Sequence, residues 1–414
     1  ERGNANGLSD HERQLLIDAK ERLVRLDPSV LADCQWFLDD LNSQGLDVHD
    51  RLLVERAVAL VTRLGGMQAG EHSQPEDLTR FMLELADVPA GASVYNPFGG
   101  QASFGVHLRP DAFYHGEEKN RSTAILGQLR LQLARGDSNW AFHVGDSVTN
   151  WSARSGAEHL IVANPPMGLR IKVPSKEGRP WYPSDTTAYF ISRALEDVKQ
   201  GGSVLAVVPG SFLFSDRPTF KEVRKRLVEQ KMLESVISFP ERMLPNTSIP
   251  FYVMHLVKGR DQAKPVRFVI ADRFVDRLGY GNAAIRYQEL VQAIRQATDP
   301  QVVRLVGLEE LTRQDYDLSP KRYFIDWEDL EGVQLGDILT PVVRGRVDPK
   351  ASGPVVQLSD LKEDPFDFHL DPMRIKNERR RASGQISTSC ILLARRGKSL
   401  KPTYFLHKGE SLAI

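Results

Sequence analysis

Leu160-Ile161-Val162-Ala163-Asn164-Pro165-Pro166-Met167 reads as an apolar strand that delivers an asparagine and two prolines to its carboxyl end. Each proline fixes φ and removes a backbone donor, so the chain holds one rigid conformation where a ligand would sit. Outward from this stretch, short apolar runs alternate with helical patterns. The runs are Ser93 to Tyr95, Ala112 to His115, Trp140 to Val144, His159 to Ala163, Ser203 to Val208, Leu233 to Ser238 and Tyr252 to Val257. Helical segments at Arg121 to Ala134, Thr187 to Lys199 and Pro218 to Gln230 separate most of them, and a helix over Asp77 to Leu85 precedes them. This alternation predicts an α/β fold, a mainly parallel sheet covered by helices on both faces. Ligands of such sheets lie at the carboxyl ends of the strands, near the point where the strand order reverses.

The chain of 414 residues is long enough for two or three domains, and its 54 basic and 54 acidic side chains cancel. A balanced charge excludes a protein that is basic overall but leaves room for local patches. Two such patches occur: Arg374-Ile375-Lys376-Asn377-Glu378-Arg379-Arg380-Arg381, and Arg395-Arg396-Gly397-Lys398 with Lys401. A solvated basic face is the plain alternative for both. Cys34 and Cys390 are far apart and lack metal-ligand spacing, so neither a disulfide framework nor a zinc site is predicted. No apolar run approaches the roughly 20 residues that span a bilayer, and the first residues carry no signal pattern, so a cytoplasmic protein is expected. The first 65 or so residues read as helices, with Leu15, Leu16, Ala19, Leu23 and Leu26 at helical spacing and a second run from Arg51 to Leu64. Beyond about residue 330 the chain restarts at Leu335-Gly336-Asp337-Ile338 and reads as strand-rich. It begins without Met and stops at Ile414 inside that region, which suggests a fragment of a longer protein.

Four strand ends carry candidate chemistry. At the first, Asn164 and the Pro165 carbonyl could accept the two hydrogens of an exocyclic amine such as that of adenine, whose lone pair is delocalised into the ring; holding those hydrogens favours attack on an activated methyl group. A strand-ending turn is the alternative for a Pro-Pro pair. At the second, Asn96-Pro97-Phe98-Gly99-Gly100-Gln101-Ala102-Ser103-Phe104 is a small-residue loop that permits close backbone approach to a nucleotide-like ligand, or is merely a tight turn. The third, Gly116-Glu117-Glu118, brings an acid about twenty residues on, where nucleoside-binding folds hold ribose hydroxyls. At the fourth, Gly145-Asp146-Ser147 offers an acid to an adenine amine, or a helix cap. Four such ends in this order are much less expected by chance than any one.

In these motifs the chain resembles the gamma-class N6-adenine DNA methyltransferases, specifically the modification subunits of Type I restriction systems and their fused relatives, from about residue 66 to 330. The resemblance implies a Rossmann-like S-adenosylmethionine-dependent methyltransferase sheet. It assigns Asn164, Pro165, Pro166 and Met167 as the catalytic tetrapeptide. Gln74-Pro75 stands where the family has a Thr-Pro helix start at the methionine part of the cofactor. The loop holding Asn96, Phe98, Gly100 and Ser103 matches the cofactor loop, with Glu118 as the ribose acid and Asp146 as the acid for the cofactor's adenine. Val208 to Phe214, Phe239-Pro240 and Asp317-Leu318-Ser319-Pro320-Lys321-Arg322-Tyr323 are similar to later segments of these subunits. The family usually has Thr at Gln74, Asp at Asn96, Gly at Ala102 and an aromatic residue at Met167; Met covers a base with less stacking energy.

The implied organisation is an N-terminal helical region over 1–65, a catalytic domain over 66–262, a connecting segment over 263–330 and a partial target-recognition-like domain over 331–414. In the last, Arg374, Lys376, Arg379, Arg380, Arg381, Arg395, Arg396, Lys398 and Lys401 would meet DNA phosphates. The implied partners are double-stranded DNA and specificity and restriction subunits or fused equivalents, without a membrane or a metal. Two other readings stay open: a subunit that keeps the fold with a decayed site, and a protein N5-glutamine methyltransferase, to which the helical region and the basic C-terminal domain are foreign.

Overall fold

Along each central strand, alternate side chains enter two separate cores. Val94, Leu160, Val162, Leu205 and Val207 belong to one, while Tyr95, Ile161, Ala163, Val204, Ala206 and Val208 belong to the other. Strands buried on both faces are what a helix-covered parallel sheet requires. The computed structural model describes residues 74–325 apart from 137, 174–182, 244–249, 262, 280 and 281, together with 39, 43 and short stretches between 333 and 413. The chain divides into two compact units, residues 1–326 and 327–414.

In the first unit the elements are α1 (Glu76–Ala86), β1 (Ser93–Asn96), α2 (Ser103–His107), β2 (Phe113–Glu118), α3 (Arg121–Arg135), β3 (Trp140–Val144), β4 (Glu158–Ala163), α4 (Thr186–Asp197), β5 (Val198–Pro209), α5 (Gly210–Phe214), α6 (Pro218–Glu229), β6 (Leu233–Ser238), β7 (Phe251–Val257) and β8 (Val266–Ile270). A hairpin of β9 (Val275–Gly279) and β10 (Asn282–Ile285), then α7 (Tyr287–Gln296), β11 (Val303–Val306) and α8 (Leu308–Arg313), follow. The nine-stranded sheet runs β11-β8-β6-β7-β5-β4-β1-β2-β3. Every strand predicted from the sequence is present. The expectation of parallel pairing holds from β3 to β5, but β7 lies antiparallel between β5 and β6, and β11 is antiparallel to β8. No helix among the described residues separates β6 from β7, and without a crossover a strand returns in the opposite direction.

Helix starts follow local chemistry. Asn120 and Asp185 accept two backbone N–H groups each at the starts of α3 and α4, and Glu76 and Asp77 complement the dipole of α1. Past the sheet, Leu318 is buried and its N–H donates to the Leu213 carbonyl, while Tyr323 packs on Phe268 with ring centroids 4.3 Å apart. Arg224 on α6, also buried, donates to the carbonyls of Tyr316, Phe212 and Ser215 and ties this segment to the sheet. Among the described residues no helix is long and apolar enough to cross a membrane.

The second unit contains two antiparallel strand pairs, Gln385–Ile386 with Leu412–Ala413 and Cys390–Leu392 with Thr403–Phe405, around a core that includes Leu370, Ile386 and Phe405. Leu335–Ile338 forms one helical turn. The predicted N-terminal helices lie almost wholly outside the described residues.

His255 in β7 is buried, its Nε2 is 3.0 Å from Ser203 Oγ, and burial pushes its pKa down from 6.5 to about 4. The unfolded chain therefore takes up this proton first as the pH falls. Stability is lost between about pH 6.5 and pH 4, by about 3 kcal/mol at most for this group. Urea unfolding at about pH 7 and pH 4.5 should show a pH-dependent loss that His255→Gln reduces; an unchanged loss in the variant would contradict this origin.

Candidate functional site

Because β3, β2, β1 and β4 are neighbours and parallel, their carboxyl ends reach the same edge of the sheet. β1 sits where the order reverses, with β2 on one side and β4 on the other. Asn96, Glu118, Asp146 and Asn164 thus lie at four adjacent strand ends.

The loop after β1 is bound tightly to β2. The Gly99 N–H donates to the Glu117 carbonyl (2.6 Å) and the Gly100 N–H to Glu118 Oε2 (3.0 Å). A Cβ at Gly99 would stand 2.5 Å from the Phe142 ring and 2.9 Å from the Glu117 carbonyl, so only glycine fits. Gly100 and Ala102 both adopt the left-handed region, at φ 54° and 59°. For Ala102 that conformation costs about 1–2 kcal/mol. Asn96 is buried; its amide donates to Tyr114 Oη (3.2 Å) and its Oδ1 accepts the Phe98 N–H. Ser103 Oγ and the Gln101 carbonyl both accept from Arg130 Nη1, a buried guanidinium on α3. Phe98 packs on Phe190 of α4, with centroids 6.1 Å apart.

Glu118 also accepts from the Asn120 N–H (2.6 Å), which aligns the carboxylate at the start of α3. Asp146 Oδ1 accepts the Val148 N–H and Oδ2 pairs with Lys119 Nζ (2.8 Å). Its hydrogen bond to the Asp146 carboxylate holds the Lys119 ammonium above its usual range. Neighbouring Ser147 donates to the Pro97 carbonyl, and Tyr189 Oη reaches the Ser147 and Val148 carbonyls at 3.3 and 3.4 Å. The loop bearing Asp146 is thereby joined to the loop bearing Gly100.

The Asn-Pro-Pro turn continues β4. Asn164 is half-buried, Pro165 buried, Pro166 exposed, and Met167 half-buried against the core. Among the described residues the half-buried Asn164 side chain makes no hydrogen bond. Thr186 at the start of α4 donates both its backbone N–H (3.1 Å) and its hydroxyl (2.7 Å) to the Leu169 carbonyl. α4 therefore braces the turn through Thr186 and the Asp146 loop through Tyr189. At the start of α1, Gln74 Nε2 donates to Thr79 Oγ1 (2.9 Å), while Gln74 Oε1 is buried without a partner among the described residues; the Pro75 carbonyl accepts the Thr79 N–H.

Arg130, Tyr189, Thr186 and Lys119 were not among the residues expected at the site. Arg130 alone was accessible to pattern reading, because it falls with Thr123, Gly127 and Leu131 on the buried stripe of α3. Of the basic residues expected to meet DNA, Arg374, Lys376, Arg379, Arg380, Arg381, Arg395, Arg396 and Lys398 lie outside the described residues. Lys401 is half-buried, and its carbonyl accepts the Thr403 hydroxyl.

The family model for N-6 DNA Methylase matches residues 55–331. The chain is similar to the "Type I restriction enzyme MjaVII methylase subunit" of Methanocaldococcus jannaschii, 25% identical over 309 residues, covering 64% of this chain and 51% of that protein. It is also similar to the MpnII methylase subunit of Mycoplasma pneumoniae, 24% identical over 263 residues, covering 56% and 48%. The chain thus spans about half the length of the curated relatives it matches. Among solved structures, the Type I restriction-modification methyltransferase subunit from Streptococcus thermophilus shares the fold with a TM-score of 0.59 at 22% identity, covering 68% of this chain and 66% of that one.

Gly99→Ala should destabilise the first unit by about 1–3 kcal/mol, because neither the Phe142 ring nor the Glu117 carbonyl can withdraw without disturbing the sheet. Thermal unfolding checks this; an unchanged Tm would show that the loop does not lie against β2 as described.

Proposed function

The chain belongs to the N-6 DNA methylase family, and from that premise we propose that it transfers a methyl group from S-adenosylmethionine to the N6 amine of an adenine in duplex DNA. What supports this reading most is Asn164, half-buried on a rigid turn at the same sheet edge as the strand ends that carry Glu118 and Asp146.

The residues fit the cofactor. Gly100 and Ala102 keep a left-handed loop on which a nucleoside can lie close to the backbone, Glu118 offers a carboxylate to ribose hydroxyls, and Asp146 can accept from an adenine amine. Gln74 Oε1, a buried acceptor without a partner among the described residues, suits an ammonium donor at the start of α1. Phe98 and Ser103 line the same loop. Bound there, the cofactor supplies a methyl group on a positively charged sulfur. The protein's work is then to hold the acceptor. Adenine N6 is inaccessible in a stacked duplex, so the base must leave the helix at a cost of a few kcal/mol. Asn164 Oδ1 and the Pro165 carbonyl accept the two amine hydrogens, which draws the nitrogen lone pair out of conjugation, and Pro166 keeps the turn from relaxing. Met167 covers the base.

Duplex DNA is the proposed substrate, with the basic residues of the second unit as its grip. Specificity and restriction subunits, or fused equivalents, are the proposed protein partners. In a tritiated-methyl transfer assay on DNA lacking adenine methylation, Asn164→Ala should lower transfer by about 10²–10³-fold with cofactor binding retained. Transfer within about tenfold of the unsubstituted chain would contradict the assignment. Met167→Phe should raise transfer at subsaturating DNA by about fivefold, the equivalent of roughly 1 kcal/mol of added stacking. A lower rate would mean that Met167 does not face the base.

A further inference from the structure

Glu117 and Glu118 are consecutive on β2 and therefore point to opposite faces of the sheet. Glu118 serves the cofactor side; Glu117 is buried on the face where Tyr95 lies and has no part in the proposed chemistry. Its surroundings are entirely committed. Tyr95 Oη donates to Glu117 Oε2 (2.9 Å), and the Ser152 hydroxyl donates to Glu117 Oε1. Since that hydroxyl has one proton and gives it to the carboxylate, its contact with His115 Nε2 (3.1 Å) requires the imidazole nitrogen to carry the hydrogen. Burial and then the Glu117 charge push the Tyr95 hydroxyl well above its usual range, so it remains a donor, and it also faces the Ser152 N–H at 3.4 Å. Tyr95 packs edge-on against Trp151, with centroids 5.1 Å apart.

The same dipeptide holds both ends of the loop that carries Asp146. At its start, the Gly145 N–H donates to the Glu118 carbonyl (3.0 Å); at its far end, Ser152 is fixed by the Glu117 carboxylate. It also holds the glycine loop, through Gly99 on the Glu117 carbonyl and Gly100 on the Glu118 carboxylate. Between β3 and β4 the described chain has no helix, so the crossover from the sheet edge to its centre is held by loop contacts: these, Ser147 and Tyr189 on the Asp146 side, and beyond Ser152 the Arg154 guanidinium on Ser93 and Glu158.

We infer that Glu117 is a positioning residue for the cofactor: through Ser152 and Tyr95 it keeps the Asp146 loop ordered before the adenine of S-adenosylmethionine arrives. The inference rests on the cofactor reading given above. Freed from Glu117, the far end of the loop at Ser152 must be ordered at the moment of binding, and that entropy is subtracted from cofactor affinity. The acceptor turn at Asn164 belongs to another strand end and is braced by α4, so DNA affinity and the rate at saturating cofactor should be largely spared.

Calorimetric titration of S-adenosylmethionine into the full chain tests this, alongside DNA affinity and thermal stability, for Glu117→Ala, Glu117→Gln, Ser152→Ala and the Glu117→Ala/Ser152→Ala pair. Glu117→Ala should weaken cofactor binding by about tenfold or more, with DNA Kd and kcat changed less than about threefold. Glu117→Gln keeps one acceptor oxygen and should recover part of the loss. Ser152→Ala should weaken binding in the unsubstituted chain but by less than about twofold once Glu117 is absent, because the two act through one bond. Cofactor affinity within about twofold of the parent in Glu117→Ala, or an equal loss of cofactor and DNA affinity, would overturn the inference. If Glu117→Ala does not fold, Ser152→Ala with Tyr95→Phe decides on the same criterion. A parent chain that binds no S-adenosylmethionine would sink the cofactor reading itself, which is a different result from a parent that binds and variants that bind equally.

Discussion

Parallel strands that share a sheet must all point their carboxyl ends to one edge, and everything at this site follows from that constraint. β3, β2, β1 and β4 bring an acid, another acid, a small-residue loop and an Asn-Pro-Pro turn to neighbouring positions, although the residues are separated by up to 68 positions, from Asn96 to Asn164. The remaining contacts refine placement: α4 braces two of the ends, Arg130 holds the glycine loop, and β2 supplies the carbonyls and carboxylates on which the loops hang.

The departures from the family pattern look different once the geometry is known. Asn96 replaces an acid, but its amide donates to the Tyr114 hydroxyl, which could equally have donated to a carboxylate; the hydrogen bond survives with its polarity reversed. Ala102 stands at φ 59°, a conformation that glycine adopts freely, and the chain absorbs the strain because Ala102 is fully buried against α3 and the loop is pinned on both sides. Neither change leaves a buried side-chain polar atom unsatisfied among the described residues. Met167 remains the departure with a direct chemical consequence, since it would touch the base and the others would not.

Much of this was legible in the sequence, since short apolar runs and helical spacing are local signals. Every strand from β1 to β7 and the helices α1, α3, α4 and α6 follow from them, and so does the placing of Asn96, Glu118, Asp146 and Asn164 at strand ends; the short α2 and α5 do not. What local pattern could not supply was direction and long-range pairing. The antiparallel insertion of β7 depends on which neighbour a strand joins, which its own composition does not encode. Glu117 read as half of an acidic pair on a strand, because its partners Tyr95 and Ser152 are 22 and 35 residues away. Tyr189 falls inside the helix read over Thr187 to Lys199, and nothing local marks a hydroxyl that reaches a loop more than 40 residues earlier. The basic segments of the second unit, clear as composition, fall outside the described residues.

The most direct test is a crystal structure of the chain with S-adenosylhomocysteine bound. The account predicts its adenine amine against Asp146, its ribose hydroxyls against Glu118, its methionine end toward Gln74, and its sulfur facing the turn at Asn164. A ligand bound elsewhere, or one whose sulfur is turned away from Asn164, would contradict it.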